Sequence, residues 1–130
     1  MSTPGEVMAR IAIVDDSRLA RLFAAAALKA RGHDVVELEP ESLFSVLKAL
    51  REAPVDLLMV DLLMPGCPGE SLVRACREDP ALSSLPVLVV SAHRDDEALR
   101  RMQQQGLSGF LLKPLDAAAL VAKVQEALAG

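Results

Sequence analysis

The sequence predicts an α/β fold in which a parallel β-sheet is covered by helices on both faces. Five short apolar runs are mostly continuous rather than alternating, which is the pattern of strands buried on both faces. In the segments between them, apolar residues recur at spacings of three and four, which indicates amphipathic helices. Strands that alternate with helices in this way form parallel sheets, and we therefore expect a (βα)5 chain.

The five predicted strands are the segments IAIV, VVEL, DLLMV, VLVV and GFLL, at residues 11–14, 35–38, 56–60, 87–90 and 109–112. Right-handed crossovers leave few ways to order parallel strands, and we expect the flavodoxin-like order 2-1-3-4-5. In such a sheet, ligands bind beyond the carboxyl ends of the strands where the winding direction reverses, here between strands 1 and 3.

The first predicted helix has apolar residues at positions i, i+3, i+4, i+7, i+8 and i+11, a stripe of the kind that faces a protein core. These residues are Leu19, Leu22, Phe23, Ala26, Ala27 and Ala30. Asp16 or Ser17 can cap the start of this helix, and Gly32 can end it in a left-handed conformation.

Four further helices are predicted from shorter apolar repeats. The residues that mark them are Leu43, Leu47 and Leu50; Leu72, Val73 and Cys76; Ala98, Leu99 and Met102; and Leu120, Val121, Val124 and Leu128. The third helix is bounded by Gly69 and Pro80. The fourth has Asp95 and Asp96 at its positive end and Gly106 just after it.

Length and composition limit the classes of function. A chain of 130 residues suits a single domain, which we expect to span residues 1–130 with residues 1–8 as a flexible N-terminal lead. No apolar run approaches the ~18 residues of a membrane span, and the start lacks the layout of a signal peptide. We therefore expect a cytoplasmic protein without membrane contact.

Charge and cysteine content argue against a nucleic-acid surface and against a zinc or redox cysteine site. Lys and Arg number 14 and Asp and Glu number 18, a net charge of −4, which argues against direct nucleic-acid binding. Cys67 and Cys76, the only cysteines in the sequence, lack the spacing of a zinc site or a C-x-x-C pair. We expect both to be free thiols.

Acidic residues follow two of the predicted strands. Asp15 and Asp16 come after the first strand, and Asp61 comes after the third. These strands are neighbours in the expected order, so three carboxylates converge on one crevice and repel each other. Raised pKa values or a bound cation can relieve this repulsion. Mg²⁺ suits the crevice better, because it takes carboxylate and carbonyl oxygens and keeps waters that leave room for a phosphate oxygen.

Two other polar residues leave strands at the same edge, Ser91 after the fourth strand and Lys113 after the fifth. Taken singly, each member has an ordinary explanation: Asp16 as a helix cap, Ser91 as a turn residue and Lys113 as a solvated loop residue. Chance rarely places acids, a hydroxyl and a lysine together on one rim. The conjunction therefore indicates a site for phosphate chemistry.

Four motifs make the chain resemble a response-regulator receiver domain over essentially its whole length. They are DD at 15–16, DLLMPGCPGE at 61–70, VVSA at 89–92 and GFLLKP at 109–114. The resemblance implies a phosphoacceptor of a two-component or phosphorelay system, which takes a phosphoryl group from a histidine kinase or phosphotransfer protein. Such a domain is a signalling switch that catalyses only its own phosphorylation and dephosphorylation.

The resemblance also implies how the acids divide their roles. Asp61 would be the nucleophile that becomes an aspartyl phosphate. Mg²⁺ would be held by Asp16, by Asp61 and by the backbone carbonyl of Leu63, and Asp15 would act through a bound water.

For the remaining residues, the resemblance implies contacts to phosphate and a change of state. Lys113 would pair with Asp61 and then with a phosphate oxygen, and Ser91 would hydrogen-bond another. Ser91 and Phe110 would form the switch, which repacks the face made by helix 4, strand 5 and helix 5, where a downstream protein reads the state. The sequence leaves open a phosphorylation-dependent homodimer.

Three local features complete these expectations. Leu63 and His93 occupy positions that tune the lifetime of the phosphoryl group in the family, and an apolar Leu63 cannot orient a hydrolytic water. The resemblance also implies that the Lys113–Pro114 peptide is cis, as is characteristic of this position in the family. The need for a sharp turn into the last helix, with Lys113 pointing back at Asp61, supports this expectation.

Two other classes of protein compete with this interpretation. A receiver fold whose chemistry has lapsed would be a constitutive protein-interaction module, and the complete set of acids, hydroxyl and lysine argues against it. A magnesium-dependent phosphohydrolase of the haloacid-dehalogenase type needs a second aspartate two residues after the first, where this chain has Leu63. It also needs a capping insertion for which this chain is too short.

Overall fold

The computed structural model describes residues 8–130, which form one five-stranded parallel sheet with five helices. The strands are β1 (Arg10–Val14), β2 (Asp34–Leu38), β3 (Leu57–Asp61), β4 (Val87–Ser91) and β5 (Gly109–Leu112). The helices are α1 (Arg18–Lys29), α2 (Leu43–Glu52), α3 (Gly69–Glu78), α4 (Asp96–Gln104) and α5 (Ala117–Ala129). The strand order is β2-β1-β3-β4-β5, so the predicted fold is confirmed. The predicted lead at residues 1–8 lies, except for Met8, outside the described residues.

The strand ends differ slightly from the prediction, in a way that bears on the site. Strand β3 begins at Leu57 rather than Asp56 and includes Asp61, and β4 includes Ser91. Each of these two polar residues is therefore the last residue of a fully buried strand, held by the pairing of Asp61 with Val90 and of Ser91 with Leu112. Backbone pairing thus fixes where both side chains leave the sheet.

The core has one apolar layer on each face of the sheet, because successive side chains of a strand point to opposite faces. On β1, Ala12 and Val14 pack with α2, α3 and α4, whereas Ile11 and Ile13 pack with α1 and α5. The buried faces of α3 and α4 are those predicted, and Cys67 and Cys76 are buried free thiols. Burial raises the pKa of the Cys76 thiol to about 11.

The predicted inward face of α1 is wrong. The residues that α1 buries are Arg21, Ala24, Ala25 and Leu28, whereas Leu19 is 78% exposed and Phe23 is 44% exposed. The helix carries apolar residues around much of its circumference, so two stripes satisfy the same periodicity. The small side chains of Ala24 and Ala25 face the sheet, and the larger apolar stripe is left on the surface.

Gly69, the first residue of α3, lies against the end of β3. A Cβ atom at this position would be 2.3 Å from the backbone oxygen of Asp61 and 2.9 Å from the Cα of Leu62. The Gly69 N–H donates to the Leu62 carbonyl at 3.0 Å. The loop after β3 therefore folds back on itself so closely that only glycine fits.

Replacement of Gly69 by alanine is expected to destabilise the protein by about 1–3 kcal/mol, the usual cost of overpacking. Helix propensity alone predicts the opposite sign, because alanine favours a helix over glycine by about 1 kcal/mol. The clash is with backbone, which has no alternative rotamer to adopt. Urea denaturation of the Gly69→Ala variant measures the change, and a gain in stability would contradict the close approach.

None of the helices within residues 8–130 has both the length and the hydropathy of a membrane-spanning segment.

Candidate functional site

Three carboxylates meet at the carboxyl edge of the sheet, as predicted. Asp15 follows β1, Asp16 is next to it and Asp61 ends the neighbouring strand β3. One carboxylate oxygen of each lies within 4.8 Å of those of the other two. Asp15 and Asp61 are buried, whereas Asp16 is exposed. This arrangement could hold a metal ion with one open side.

Lys113 reaches this cluster from the far edge of the sheet. Its Nζ lies 2.7 Å from Oδ2 of Asp15 and 3.2 Å from Oδ2 of Asp61. The Lys113–Pro114 peptide is cis, as predicted, and the Lys113 N–H donates to the Ser91 carbonyl at 2.8 Å. The sequence predicted the contact with Asp61. It did not predict the shorter contact with Asp15, for which the side chain must extend past two strands.

The pKa values of the cluster reflect burial and mutual charge. Burial raises the pKa of Asp61, the negative charge of Asp15 raises it further, and Lys113 offsets only part of the rise. Burial by itself would lower the pKa of Lys113, but its hydrogen bond to Asp15 and the charges of Asp15 and Asp61 outweigh burial, so the pKa is raised. Lys113 is therefore a cation at neutral pH.

The donor set fits a hard divalent cation. With every group ionised, the three carboxylates and Lys113 leave two negative charges uncompensated. Oxygen donors of this kind suit Mg²⁺, which needs only one or two carboxylates and fills its remaining positions with water and phosphate oxygens.

The two adjacent aspartates are held differently. Oδ1 of Asp15 accepts a hydrogen bond from the Ser17 N–H at 2.9 Å, and its Oδ2 contacts Lys113. Ser17, and not Asp16, caps α1 through the Ala20 N–H. Consequently the exposed carboxylate of Asp16 is not used as a helix cap and is available in the cluster as a candidate ligand.

Ser91 and Leu63 lie at the same edge of the sheet, whereas Phe110 lies within β5, three residues before Lys113. Ser91 is fully buried, and its Oγ accepts a hydrogen bond from the His93 N–H at 3.1 Å. The Leu63 backbone acts to lower the pKa of Asp61 and so offsets part of its rise, while the Leu63 side chain is 61% exposed. Phe110 is partly buried on β5 and lines a cavity together with Arg94 and Leu99.

The structure also places an apolar surface beside Lys113. A cavity of about 470 Å³ is lined by Leu19 and Phe23 of α1, by Ala92 after β4, and by Pro114 and Leu115 after β5. We call these five residues the rim surface. The sequence analysis missed it because Leu19 and Phe23 were expected to face the core.

Arg21 was also missed. It is buried, and within residues 8–130 no other lysine or arginine is. The sequence did hold an indication that Arg21 is buried. It precedes Ala24, Ala25 and Leu28, the apolar residues that face the sheet, by three, four and seven positions, and so lies on the same face of α1.

Comparison with known families and proteins finds matches over most of the chain. The family described as "Response regulator receiver domain" matches residues 11–125. Protein PilH of Pseudomonas aeruginosa is 33% identical over 123 residues, which cover 95% of this chain and all of PilH. The sensor kinase/phosphatase CqsS of Vibrio cholerae is 30% identical over 116 residues, which cover 88% of this chain and 17% of CqsS. The same kind of sequence therefore occurs both as a whole protein and as part of a longer one.

A solved structure agrees with the fold. The chemotaxis response regulator CheY4 of Vibrio cholerae superposes with a TM-score of 0.84 at 25% sequence identity, and the match covers 94% of this chain and all of that one.

Proposed function

The chain belongs to the response regulator receiver domain family, whose members are signalling switches of two-component systems, and we propose that its switch is phosphorylation of Asp61. The phosphoryl donor would be the phosphohistidine of a histidine kinase or phosphotransfer protein. The observation that carries the proposal is the contact of one ammonium group, Lys113 Nζ, with two buried carboxylates at 2.7 and 3.2 Å in a cluster of three.

In the proposed reaction, a carboxylate oxygen of Asp61 attacks phosphorus. The new O–P bond forms as the P–N bond of the phosphohistidine breaks, and the imidazole leaves with the electron pair. Lys113 would exchange Asp61 for a phosphoryl oxygen, and the Ser91 hydroxyl would donate to another. Catalysis of this kind depends on positioning and charge neutralisation rather than on acid–base chemistry.

Mg²⁺ would be held by Asp16, Asp61 and the Leu63 backbone carbonyl, with Asp15 acting through a water. When bound, the ion would neutralise charge on the phosphoryl oxygens. The exposure of Asp16 and the engagement of both Asp15 oxygens by Ser17 and Lys113 support this division of roles.

Loss of the Asp16 carboxylate is therefore expected to weaken Mg²⁺ binding more than loss of Asp15. Titration of the Asp16→Ala and Asp15→Ala variants with Mg²⁺, followed by amide NMR signals, compares the two dissociation constants. Removal of a direct ligand should raise the dissociation constant by more than the roughly 10- to 100-fold typical of residues that act through another group. Equal affinities would contradict the assignment.

The proposed output is the face formed by α4, β5 and α5. Ser91 and Phe110 lie on adjacent strands, where β4 and β5 pair in register. Movement of Ser91 toward a phosphoryl group would let Phe110 turn inward behind it, which would change this face for a downstream protein. A cytoplasmic location is part of the proposal, because a histidine kinase or phosphotransfer protein would supply the phosphoryl group there.

Beryllofluoride with Mg²⁺ tests the proposal against the alternative of a constitutive interaction module. The complex mimics an aspartyl phosphate, so we expect backbone amide signals of α4 and β5 to shift on its addition. Unchanged signals at saturating beryllofluoride would favour the constitutive module.

The rim surface supports a protein as the donor. A phosphohistidine can approach Asp61 only past the open side of the cluster, so the donor must cover the adjacent apolar residues of α1 and of the loop after β5. Acetyl phosphate needs no such contact.

Phe23→Ser is therefore expected to slow phosphoryl transfer from a histidine kinase that phosphorylates the wild-type chain, by about 10-fold or more, and to leave the rate with acetyl phosphate unchanged. Truncation of a residue that anchors an interface costs about 2 kcal/mol or more, and we expect Phe23 to be such an anchor. Phe44→Ser is the matched control, because Phe44 is also exposed but lies on α2. Equal rates for both variants with the kinase would remove α1 from the docking surface.

A further inference from the structure

Arg21 brings a buried positive charge to the backbone of the acid pair. Its Nη1 donates a hydrogen bond to the backbone carbonyl of Asp15. Its Nη2 lies 3.5 Å from Oε1 of Glu39, and its Nε lies 3.8 Å from Oε1 of Glu37. The Arg21 side chain is only 7% exposed. One guanidinium therefore joins the loop after β1, the helix α1 and the end of β2.

The carbonyl that Arg21 contacts belongs to the peptide between Asp15 and Asp16. Rotation of that peptide plane would change the direction of both side chains. The Asp15 carboxylate is held independently by Ser17 and Lys113. The exposed Asp16 carboxylate has no comparable hydrogen bond or ion pair to the rest of residues 8–130, so the backbone is the part of Asp16 that the surrounding chain holds.

We propose that Arg21 is a positioning residue for the metal site: it fixes the Asp15–Asp16 peptide and thereby the direction in which Asp16 presents its carboxylate to Mg²⁺. This inference rests on the proposed function, because it assumes that Asp16 is a ligand. Arg21 itself would touch neither the metal nor the phosphoryl group.

The chemistry of the three contacts explains why this residue is an arginine. A guanidinium presents five N–H donors in a planar fork and can serve acceptors on several elements at once, whereas an ammonium is a compact point charge. A buried cation also needs partners of opposite charge. Glu37 of β2 and Glu39, the residue just after it, supply them.

The test compares Arg21→Met, Arg21→Lys and Arg18→Met with the wild-type chain in titrations with Mg²⁺ alone. Residues that orient metal ligands typically contribute 10- to 100-fold to metal affinity, so we expect Arg21→Met to weaken binding by about 10-fold or more. Arg21→Lys should recover part of the loss. Arg18 is the matched control, because it lies one turn earlier on α1 and is exposed. Arg18 lines a surface pocket together with Asp16 but has no hydrogen bond to the Asp15 carbonyl. Its replacement removes a positive charge and should therefore not weaken Mg²⁺ binding.

A second measurement needs no metal. In the metal-free protein, amide hydrogen exchange at Ser17 reports how firmly the Asp15–Asp16 turn is held, and it should become at least several-fold faster in Arg21→Met. If that variant does not fold, Arg21→Lys carries both measurements.

The outcomes separate the two proposals. A wild-type chain that does not bind Mg²⁺ would overturn the proposed function. A wild-type chain that binds, with a folded Arg21 variant of equal affinity and equal exchange at Ser17, would overturn the positioning role. A lower melting temperature at unchanged affinity would show that Arg21 only packs α1 against β2.

Discussion

Replacement of Asp61 by asparagine is expected to abolish phosphorylation by acetyl phosphate in the presence of Mg²⁺. The amide keeps the shape of the side chain but loses the anionic oxygen that, in the proposed reaction, attacks phosphorus. Intact-mass spectrometry should detect one added phosphoryl group on the wild-type chain and none on Asp61→Asn. Asp56→Asn is the matched control, because Asp56 is an exposed acid just before the other end of β3. Persistent labelling of Asp61→Asn would move the phosphoacceptor elsewhere.

Stability measurements show whether the unreactive variant is folded, and their sign follows from the site. Burial and the charge of Asp15 raise the pKa of Asp61 above its ordinary value of 3.8. The folded state therefore keeps a proton on Asp61 to higher pH than the unfolded state, and the contribution of Asp61 to the stability of the metal-free wild-type chain falls as pH rises between the two pKa values. Asparagine does not ionise. The free energy of unfolding of Asp61→Asn, relative to that of the wild-type chain, should therefore increase with pH between the unfolded and folded pKa values of Asp61 and stay constant above them.

The fold was predictable because its signals are local and repeated. Each buried strand is a continuous apolar run, and the strand order follows from the handedness of crossovers, which leaves few alternatives. The positions of Asp61 and Ser91 at strand ends then follow from the chain itself, since each is the residue at which an apolar run stops.

The inward face of α1 was not predictable in the same way. Periodicity finds an apolar stripe but does not choose between two stripes on an alanine-rich helix. Here the face with Leu19 and Phe23 has the larger side chains, yet Ala24, Ala25 and Leu28 face the sheet. The polar contacts of Arg21, which lie far apart in sequence, help to decide between the faces.

The contact between Lys113 and Asp15 needed the structure for a related reason. Sequence places both residues at the same edge, but β1 and β5 are separated by β3 and β4 in the sheet. Whether one ammonium reaches one carboxylate or two depends on side-chain conformation and on the direction of the chain after β5, and neither of these is encoded by spacing.

Replacement of Lys113 by methionine is expected to cost both activity and stability. Removal of one partner of a buried ion pair typically destabilises a protein by 3–5 kcal/mol. We expect about 3 kcal/mol at neutral pH here, because the 18% exposure of the Lys113 side chain lets water screen part of the charge. Phosphorylation by acetyl phosphate should slow by at least about 100-fold, since the variant lacks the cation that we propose to neutralise the phosphoryl oxygens.

Lys123→Met is the matched control, because Lys123 pairs with Glu126 at 3.5 Å on the surface of α5, and exposed pairs of this kind contribute about 0–1 kcal/mol.

Acid should reduce the loss of stability in Lys113→Met, since protonation of Asp15 and Asp61 removes the repulsion that Lys113 balances. In the wild-type chain, the pKa of Lys113 is raised above 10.5. The contribution of Lys113 to stability is therefore complete below pH 10.5 and is lost only as pH rises through the raised value.

Mg²⁺ should restore part of the stability lost in Lys113→Met, because the ion brings positive charge to the same carboxylates. A variant as stable as Lys123→Met at neutral pH without Mg²⁺ would mean that the buried carboxylates are not both charged, and the electrostatic basis of the site would then be wrong.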